Sequence, residues 1–459
     1  MRLVLLSGGS GKRLWPLSND SRSKQFLKVL VAPDGRRESM LERVWRQIRS
    51  AGLADRTLIA TSKSQVDMIY SQLGSNVPLV VEPERRDTFP AVALSISYLH
   101  SVVKCDPSET IIVLPVDPFV DNDFFTKLLE LDKVVCRSSA DVALMGVSPT
   151  YPSEKYGYIV PEGLDTEGYY RVSFFREKPS VSQAEELLQL NALWNCGVFA
   201  FQLKFMINLL KEKQVPISYK QLALNYRSLT QISFDYEVVE QARNIVALSY
   251  NGSWKDIGTW NTLTEEMTGR VFGKGLLSHD STNTNIVNEL DVPVAVLGVS
   301  NIVVAASLDG ILVTDKRESS RMKELLSDHN QQPMYEEKRW GWHKVLDFKS
   351  FGEEHEVMTK RVCIYAKQNI SYQVHFKRSE TWSVVSGQGS CVKGGELFTV
   401  RPGDVVQFAA GTNYAFRAET ELECVVVKIG QAILNGDDTE LCKEWDETLK
   451  LVQNHKIVI

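Results

Sequence analysis

The sequence predicts an α/β protein with a doubly wound, mostly parallel sheet, followed by a β-rich linker region and a C-terminal β-barrel. Over the first 270 residues, short apolar runs alternate with segments of helical spacing, which indicates parallel strands joined by helices on both faces of a sheet. After residue 340, short apolar segments separated by glycines follow one another, which is typical of a barrel or sandwich. We therefore predict domains at 1–270, 271–335 and 336–459.

The elements of the first domain are predicted in order along the chain. The predicted strands are residues 2–6, 56–60, 77–81 and 110–114, and the predicted helices are residues 40–49, 64–73, 89–103 and one that begins near residue 123. Ligands of such sheets bind at the carboxyl ends of the strands. Because the polar clusters at 7–25, 82–88 and 115–118 each follow a strand, we expect them to meet at one edge of the sheet.

The middle region differs in pattern from both of its neighbours. The stretch TNTNIVNELDVPVAVLGVSNIVVAASLDGILVTDK consists of short β segments broken by Asn, Pro, Gly and Asp. The stretch RESSRMKELLSDHNQQPMYEEKRW that follows predicts a helix and a polar linker.

Composition and charge narrow the classes of function. The 459 residues carry a formal net charge of −5, which argues against a protein that binds duplex nucleic acid, although a local basic cleft stays open. No apolar run reaches the roughly 18 residues of a membrane span, and the apolar N-terminus is too short for a secretory signal. Seven scattered cysteines without a CxxC pair indicate neither a disulfide framework nor a zinc ribbon. We expect a reduced, cytoplasmic setting without nucleic-acid or membrane partners.

A glycine-rich stretch, SGGSGKR, directly follows the first predicted strand. It matches neither the dinucleotide fingerprint nor the P-loop, so a merely tight turn is an equally good interpretation of the stretch alone. A glycine-rich turn at this place can also bring backbone N–H groups close to a phosphate. Four basic residues accompany the turn and suit a polyanion: Lys12, Arg13, Arg22 and Lys24.

The stretch SGGSGKRLWPLS…KQF resembles the nucleotide-binding signature of sugar-1-phosphate nucleotidyltransferases, specifically the mannose-1-phosphate guanylyltransferases. The resemblance continues in the family's order through VEPERRDTFPA, IIVLPVDPFV, YGYI, FREKP, WNCGVFAF, FDYEVVE and WKDIGTW, and it covers residues 1–265. It implies a Rossmann-like, GT-A-like nucleotidyltransferase domain. The implied reaction joins GTP and α-D-mannose 1-phosphate into GDP-mannose and diphosphate, for nucleotide-sugar and polysaccharide biosynthesis.

The resemblance assigns residues to the nucleotide. In such a reaction the sugar phosphate attacks the α-phosphorus, so positioning and charge neutralisation do most of the work. Gly8, Gly9 and Gly11 would let the backbone approach the nucleotide, and the catalytic residues Arg13 and Lys24 would hold the triphosphate. The family uses a further stretch around the base and ribose, which here contains Glu82, Pro83, Arg86, Asp87 and Thr88.

Other interpretations of these residues stay open. Asp87 or Thr88 can also cap the following helix. Asp117 and Asp256 could each be an ordinary turn residue, but the resemblance pairs them as catalytic carboxylates that bind one Mg²⁺, whose preferred ligands are such hard oxygens. For the sugar phosphate, the resemblance implies Gly157, Tyr158, Glu177, Lys178 and Asn195. Several positions depart from the family's usual residues: Ser23 for Pro, Phe89 for Ala, Pro118 for His, and Cys196 and Thr259 for Ser.

The C-terminal region, about 338–435, resembles the cupin-type phosphomannose isomerase module that is fused to this transferase in bifunctional enzymes. The resemblance rests on ISYQVHFKRSETWSVVSGQGS and RPGDVVQFAAGTNYAF. The metal-binding version supplies Gln, His, Glu and a second His; here Gln373, His375 and Glu380 are present and Tyr414 replaces the second His. Gln373 and His375 alternate along a strand and therefore share a face. A Zn²⁺ or other divalent-metal site is weakened, because neutral tyrosine binds Zn²⁺ poorly.

Alternatives remain for the barrel and for the whole chain. The barrel, whose family run HHHR is reduced to HFKR with Lys377 and Arg378 kept, is either an active isomerase of fructose 6-phosphate and mannose 6-phosphate or a module retained for folding, homodimer contacts or ligand sensing. We favour the second. The chain could also use another sugar 1-phosphate, such as a heptose or glucose, or another nucleotide. A non-catalytic nucleotide-sugar sensor is disfavoured by the retained Lys24, Asp117 and Asp256.

Overall fold

The structure is a computed structural model that describes residues 1–9, 12–19, 21–164, 168–326, 332–352, 355–431, 433 and 438–455. Residue contacts divide the chain into two compact units. The first comprises Met1–Gly11, Ser23–Val66 and Gln72–Thr268, and the second comprises Lys12–Arg22, Asp67–Ser71 and Gly269–Ile459. The division into three domains at residues 270 and 335 stays a prediction.

The first unit is built on a nine-stranded sheet. In spatial order its strands are Leu79–Glu82, Thr57–Ser62, Arg2–Ser7, Thr110–Pro115, Leu193–Gln202, Val142–Val147, Ile245–Ser249, Tyr170–Arg176 and Tyr158–Leu164. Among these described strands, all but two point the same way; Leu193–Gln202 and Tyr170–Arg176 run against their neighbours. The predicted doubly wound, mostly parallel sheet is confirmed, with a reversed strand in its middle that the periodicity did not indicate.

Both faces of the central strands are buried. Val4 and Val113 belong to the same core cluster as most of helix Thr88–Tyr98. Leu3 and Leu5, which alternate with Val4 along the strand, are also fully buried. Since successive side chains of a strand point to opposite faces, apolar layers cover both sides of the sheet, as a doubly wound fold requires.

The four helices predicted for residues 1–270 are present as Met40–Ser50, Val66–Leu73, Thr88–Tyr98 and Asp123–Ser138. Further helices follow at Val181–Gln189, Leu203–Glu212, Tyr219–Leu224 and Trp260–Glu266. Helix Met40–Ser50 begins at a capping box, in which the Ser39 hydroxyl accepts from the N–H of Glu42 and the Glu42 carboxylate accepts from the N–H of Ser39. No helix in the described part of the chain is long and apolar enough to cross a membrane.

Short elements complete the first unit. Two-residue strands Leu30–Val31 and Arg37–Glu38 form a hairpin, and Pro118–Val120 pairs antiparallel with Trp254–Asp256. Single turns of 3₁₀ or π helix are Lys24–Phe26, Ala54–Arg56, Lys63–Gln65, Tyr226–Ser228, Leu99–Val103 and Asp235–Val239. The ribbon of Pro118–Val120 and Trp254–Asp256 is important for the site, because it joins two loops that are far apart in sequence.

The second unit is mainly β structure after residue 269. Its first sheet contains Val271–Phe272, Asn285–Asn288, Ile302–Ser307 and Gly310–Asp315, and a two-stranded sheet contains Gly275–Leu277 and Val294–Val296. The turn Lys12–Leu14, the turn Glu318–Arg321 and the short helix Met322–Leu325 also belong to this unit.

Two facing sheets form the predicted C-terminal barrel. One contains Tyr335–Lys338, Gly341–Ser350, Glu356–Ile364, Leu422–Gly430, Arg378–Ser386 and Val405–Phe408; the other contains Glu396–Val400, Gly389–Lys393, Tyr414–Ala418, Asn369–His375 and Asp438–Cys442. A helix, Trp445–His455, follows. Trp382 and Val426 of the first sheet pack with Cys391 and Phe416 of the second in one apolar core. The barrel's polar candidate residues therefore lie on strands whose other inward-facing residues are apolar.

Candidate active site

The glycine loop of the first unit is held by a buried hydroxyl. The Ser23 hydroxyl donates to the carbonyl oxygen of Gly9 at 2.8 Å and accepts from Gln65 Nε2 at 2.9 Å. The Gln65 carbonyl oxygen in turn accepts from the Ser7 hydroxyl at 3.0 Å. Ser23 and Gln65 are fully buried, whereas Gly9 is exposed, and a Cβ added at Gly9 would meet nothing within 4 Å. The loop is thus anchored from behind and open in front, as a phosphate-accepting loop must be.

The basic residues predicted around this loop belong to different units of the chain. Lys24 belongs to the first unit, whereas Arg13 is an exposed residue of the second unit, and Gly11 lies outside the described residues. Arg22 also belongs to the second unit, where its guanidinium makes two bonds of 2.8 and 2.9 Å to the carboxylate of Glu289. This bidentate pair uses the charge of Arg22 within the second unit, and a contact of Arg22 with a polyanion stays a prediction.

A buried carboxylate lies beside the loop. Glu82 ends strand Leu79–Glu82, is 4% exposed, and accepts from the Tyr226 hydroxyl at 2.7 Å. Its other oxygen faces Gly8, where an added Cβ would lie 3.6 Å away. Burial raises the pKa of Glu82, and the bond from Tyr226 opposes this rise. An acceptor for hydroxyl or N–H groups is thereby fixed next to the glycine loop.

The residues that follow Glu82 are fixed by local bonds. Arg86 donates to Glu84 and, at 2.7 Å, to the carbonyl oxygen of Leu229. Asp87 caps helix Thr88–Tyr98 by accepting from the Thr88 N–H at 2.8 Å, which confirms the capping interpretation. Asp87 has a φ of 69°, a conformation that costs a non-glycine residue about 1–3 kcal/mol and that clusters at functional sites. Pro83 is exposed.

Lys24 joins the two predicted metal carboxylates. Its ammonium lies 2.8 Å from Asp117 Oδ2 and 3.1 Å from Asp256 Oδ1. The paired strands Pro118–Val120 and Trp254–Asp256 bring the two aspartates together, since Asp256 is opposite Pro118, the neighbour of Asp117. Burial would lower the pKa of Lys24, but the two carboxylates raise it, so the ammonium stays charged. The three groups are between 20% and 37% exposed, so the cluster can exchange its partners with a ligand.

Four of the residues predicted to bind the sugar phosphate come together at the reversed strand Leu193–Gln202. The N–H of Asn195, on strand Leu193–Gln202, donates to the carbonyl oxygen of Gly157 at 2.8 Å. A Cβ added to Gly157 would lie 2.6 Å from Glu177 Oε2 and 2.5 Å from the ring of Phe175, so only glycine fits there. Lys178 contacts Glu177 Oε1 at 2.6 Å.

Asp235 is a fifth residue of this group, and the sequence pattern did not single it out. Asn195 Nδ2 donates to Asp235 Oδ1 at 3.2 Å. Burial and the charge of Glu177 raise the pKa of Asp235 to about 7. Burial raises the pKa of Glu177 as well, and Lys178 opposes that rise. The group therefore holds both a proton donor and proton acceptors near neutral pH, which suits the hydroxyl groups of a sugar.

Tyr158 stands apart from this polar group. Its side chain is fully buried, and its hydroxyl accepts from the N–H of Ser153 at 2.8 Å and donates to the Ser153 carbonyl oxygen at 3.1 Å. The phenolic hydroxyl is thus bonded to the backbone of Ser153 inside the protein. Any contact of Tyr158 with a sugar must therefore come from its backbone. The sequence pattern could not distinguish a buried structural tyrosine from one whose side chain contacts the sugar.

An aromatic cavity of about 530 Å³ adjoins Asp256 in the same unit. Tyr151, Trp194, Tyr156 and Trp254 line it, with ring centroids about 5 Å apart in successive pairs. Trp194 precedes Asn195 on the reversed strand, so the sugar group and the cavity are adjacent in sequence. A large space therefore remains beside Asp256.

In the barrel, the predicted metal residues meet, with Tyr414 among them. Gln373 Nε2 donates to the Tyr414 hydroxyl at 2.8 Å, and His375 Nε2 lies 2.9 Å from the same oxygen. The Tyr414 hydroxyl donates to Glu380 Oε2 at 2.8 Å. The shared face predicted for Gln373 and His375 is consistent with their common partner. Within the described residues, no group of three or more His, Cys, Asp or Glu side chains is arranged to hold a metal ion.

Sequence reasoning missed three functional neighbours: Gln65, Tyr226 and Asp235. Each acts through contacts across 40 residues or more, which periodicity does not reveal. Asp235 alone carried a signal, since it stands in FDYEVVE, a motif that resembles the family, where an acid among apolar residues needs a partner.

These features of the sheet and its loops define the class of enzyme. A mostly parallel sheet with an open glycine loop after its first strand, and carboxylates beside a lysine at a neighbouring strand end, is the arrangement of an enzyme that transfers nucleotidyl groups. The profile of the nucleotidyl transferase family matches residues 2–270, more than half of the chain, and the chain belongs to this family. The C-terminal domain profile of mannose-6-phosphate isomerase matches residues 327–443. Both predicted resemblances are confirmed.

Relatives of similar length cover nearly the whole chain. Mannose-1-phosphate guanylyltransferase of Salmonella montevideo is 28% identical over 477 residues, which cover 95% of this chain and 97% of that protein. Alginate biosynthesis protein AlgA of Pseudomonas fluorescens is 28% identical over 474 residues and 95% of each chain. The crystal structure of mannose-1-phosphate geranyltransferase from Thermus thermophilus superposes with a TM-score of 0.59 at 28% identity, covering 71% of this chain and 98% of that one.

We predict that Ser23→Ala loosens the glycine loop. The change leaves the buried Gln65 amide and the Gly9 carbonyl without their shared partner, which should lower the free energy of unfolding by about 1–3 kcal/mol. The KM for the nucleotide should rise while an exposed control, Ser75→Ala, leaves both quantities unchanged. Urea unfolding and initial rates measure the two effects. Equal values for Ser23→Ala and the control would refute the anchoring role.

We also predict a pH dependence that Asp235 causes. Its pKa is about 7 in the folded chain and about 4 when unfolded, so the folded state binds the extra proton between these values. The free energy of unfolding should therefore fall as pH rises from 4 to 7, by at most about 1.4 kcal/mol per pH unit. Asp235→Asn, which cannot ionise, should lose this part of the slope. Denaturant unfolding at several pH values tests this, and identical slopes in both proteins would contradict it.

Proposed function

We propose that the chain is a Mg²⁺-dependent mannose-1-phosphate guanylyltransferase, which converts GTP and α-D-mannose 1-phosphate to GDP-mannose and diphosphate. The observation that carries this proposal is the contact of Lys24 with both Asp117 and Asp256, next to an open glycine loop. The names of the full-length relatives support the choice of guanosine and mannose.

The carboxylate pair suits a magnesium ion. Asp117 and Asp256 direct one oxygen each to a single cationic group, and Mg²⁺ prefers such hard oxygens together with those of phosphates. When bound, the ion would neutralise charge on the phosphate oxygens. Lys24 keeps the two carboxylates together until substrate arrives and then contributes its charge to the triphosphate.

The nucleotide would lie along the glycine loop. Backbone N–H groups around Gly8 and Gly9 approach phosphates without side-chain obstruction, and a low conformational freedom of the loop preserves this geometry. Glu82 offers a fixed acceptor at the side of the loop for ribose hydroxyls or base N–H groups. Arg13 is proposed to bind the triphosphate, as the family's pattern implies.

The mannose phosphate would bind at the reversed strand. Glu177, Asn195 and Asp235 provide acceptors and donors for sugar hydroxyls, and Lys178, with a half-exposed side chain, meets the sugar phosphate. Gly157 leaves room because any side chain there would collide with Glu177. The phosphate oxygen would attack the α-phosphorus of GTP, and diphosphate would leave.

We predict that Asp256→Asn abolishes diphosphate release. Loss of one metal carboxylate should lower kcat/KM at least about 100-fold, which corresponds to about 2.7 kcal/mol of transition-state stabilisation. Coupled detection of diphosphate at varied Mg²⁺ concentrations measures the effect. The exposed control Asp55→Asn should behave as wild type. Normal turnover of Asp256→Asn at low Mg²⁺ would reject the metal assignment.

The choice of substrates leads to a separate prediction. In a matrix of nucleoside triphosphates and sugar 1-phosphates, kcat/KM should be highest for GTP with mannose 1-phosphate. Differences between sugars should be large, because a buried polar group without its hydroxyl partner is costly. Preference for glucose 1-phosphate, a heptose 1-phosphate or another nucleotide would overturn the named substrates while leaving the nucleotidyl transfer intact.

A further inference from the structure

The barrel of the isomerase type implies a divalent metal held by Gln, two His and Glu, but the side chains of this chain do not fit one. The carboxylate of Glu380 already has four donors. Lys428 Nζ at 2.8 Å and Arg378 Nε at 3.0 Å bond to Oε1. The Tyr414 hydroxyl at 2.8 Å and Trp382 Nε1 at 2.9 Å bond to Oε2. A carboxylate accepts about four bonds, so no lone pair of Glu380 remains for a metal.

The imidazole of His375 is also fully used. Arg378 Nη2 lies 2.9 Å from His375 Nδ1 and 3.3 Å from His375 Nε2. His375 Nε2 also lies 2.9 Å from the Tyr414 hydroxyl oxygen and 3.3 Å from Glu380 Oε1. A metal ion would have to displace one of these partners to reach either ring nitrogen, and the guanidinium that faces both nitrogens repels a cation. His375 is only 3% exposed, so the ring has no free edge.

Tyr414, at the position of the second histidine, does not replace it. Its hydroxyl accepts from Gln373 Nε2 at 2.8 Å and donates to Glu380 Oε2 at 2.8 Å, so the oxygen is already bonded inside the barrel. Lys428 Nζ and Arg378 Nε both bond to the carboxylate of Glu380. The cluster thus consists of one carboxylate with two permanent cations, and its charge is opposite to that which attracts a divalent ion.

The two cations come from neighbouring, paired strands of the same sheet. Lys428 lies on Leu422–Gly430 directly opposite Glu380 on Arg378–Ser386, and Arg378 is two residues before Glu380. Along Leu422–Gly430, the residues at the same parity as Lys428 are buried and apolar, so this lysine extends inward among them. Gly430, opposite Arg378, allows the close approach, because an added Cβ would lie 2.3 Å from the carbonyl oxygen of Lys377.

We propose that Lys428, together with the Arg378 that the family run keeps, takes the place of the metal ion in this barrel. The barrel then folds and persists without a divalent cation, and it binds none at Gln373, His375 and Glu380. The charge-assisted bonds to the buried carboxylate join Leu422–Gly430 to Arg378–Ser386. The contacts of Glu380 with Tyr414 and of Arg378 with His375 join Arg378–Ser386 to the other sheet, which is the link that metal coordination would make. This proposal concerns the second unit alone and does not depend on the reaction of the first.

The first test measures metal in the full-length chain. After incubation with Zn²⁺ or Co²⁺ and desalting, we expect fewer than about 0.1 ions per chain in the barrel, no ligand-field absorption of Co²⁺, and no change of melting temperature with a chelator. His375→Ala serves as the control, and metal that this variant retains equally lies outside the barrel and supports the proposal. About one ion per wild-type chain that is lost in His375→Ala would overturn it.

The second test removes the internal cation. Lys428→Met keeps the length of the side chain and leaves the carboxylate of Glu380 short of a partner, so the melting temperature of the barrel should fall by roughly 5–10 °C. Lys428→Arg should restore most of this loss. Lys393→Met, an exposed lysine of the same barrel, is the matched control and should melt as wild type. If Lys428→Met also melted as wild type, Lys428 would not replace the metal and the proposal would fail.

Discussion

The contact of the Lys24 ammonium with Asp117 and Asp256 is the interaction on which the arrangement of the first unit's site depends. Each group comes from a different part of the chain, and the ammonium contacts both carboxylates. Two carboxylates that contact the same group repel each other, so a cation between them stabilises their placement. That stabilisation explains why a lysine follows the glycine loop: the residue that keeps the site assembled in the absence of substrate is positioned to meet the substrate's phosphates.

The two units use internal cations in opposite ways, and exposure of the side chains makes the difference. In the first unit, Asp117 and Asp256 are 20% and 37% exposed, so solvent and ligands can reach the ion pair and change its partners. In the barrel, Glu380 is 1% exposed and every oxygen lone pair is used. Removing one partner of such a buried ion pair strongly destabilises the fold, whereas a partly exposed ion pair can exchange its partners at little cost in free energy. One cluster is therefore suited to binding and the other to holding strands together.

Much of the fold could be predicted from sequence, because its signals are local. The apolar strands and the buried helix at residues 89–103 appear where the periodicity indicated them, and the capping role of Asp87 was foreseen. The reversed direction of Leu193–Gln202 could not be predicted, since a strand's hydrophobic pattern is the same in either direction. Ser23 looked like a departure from the family, and only its contacts with Gly9 and Gln65 reveal it as an anchor. Long-range hydrogen bonds of this kind do not affect the hydrophobic periodicity of the sequence.

The sequence around Lys428 contains a pattern from which its inward position could have been predicted. In LECVVVKIG the residues at alternate positions are Leu, Cys, Val and Lys, so an alternating strand places the lysine on the same inward face as three apolar residues. A charge on that face must find an opposite charge, because an unpaired ion in an apolar interior is prohibitively costly. The acid required is Glu380, which stands at the inward parity of the neighbouring strand. A lysine at such a position, together with a tyrosine where a metal-binding histidine is expected, indicates a barrel that has exchanged its metal for a cation of its own chain.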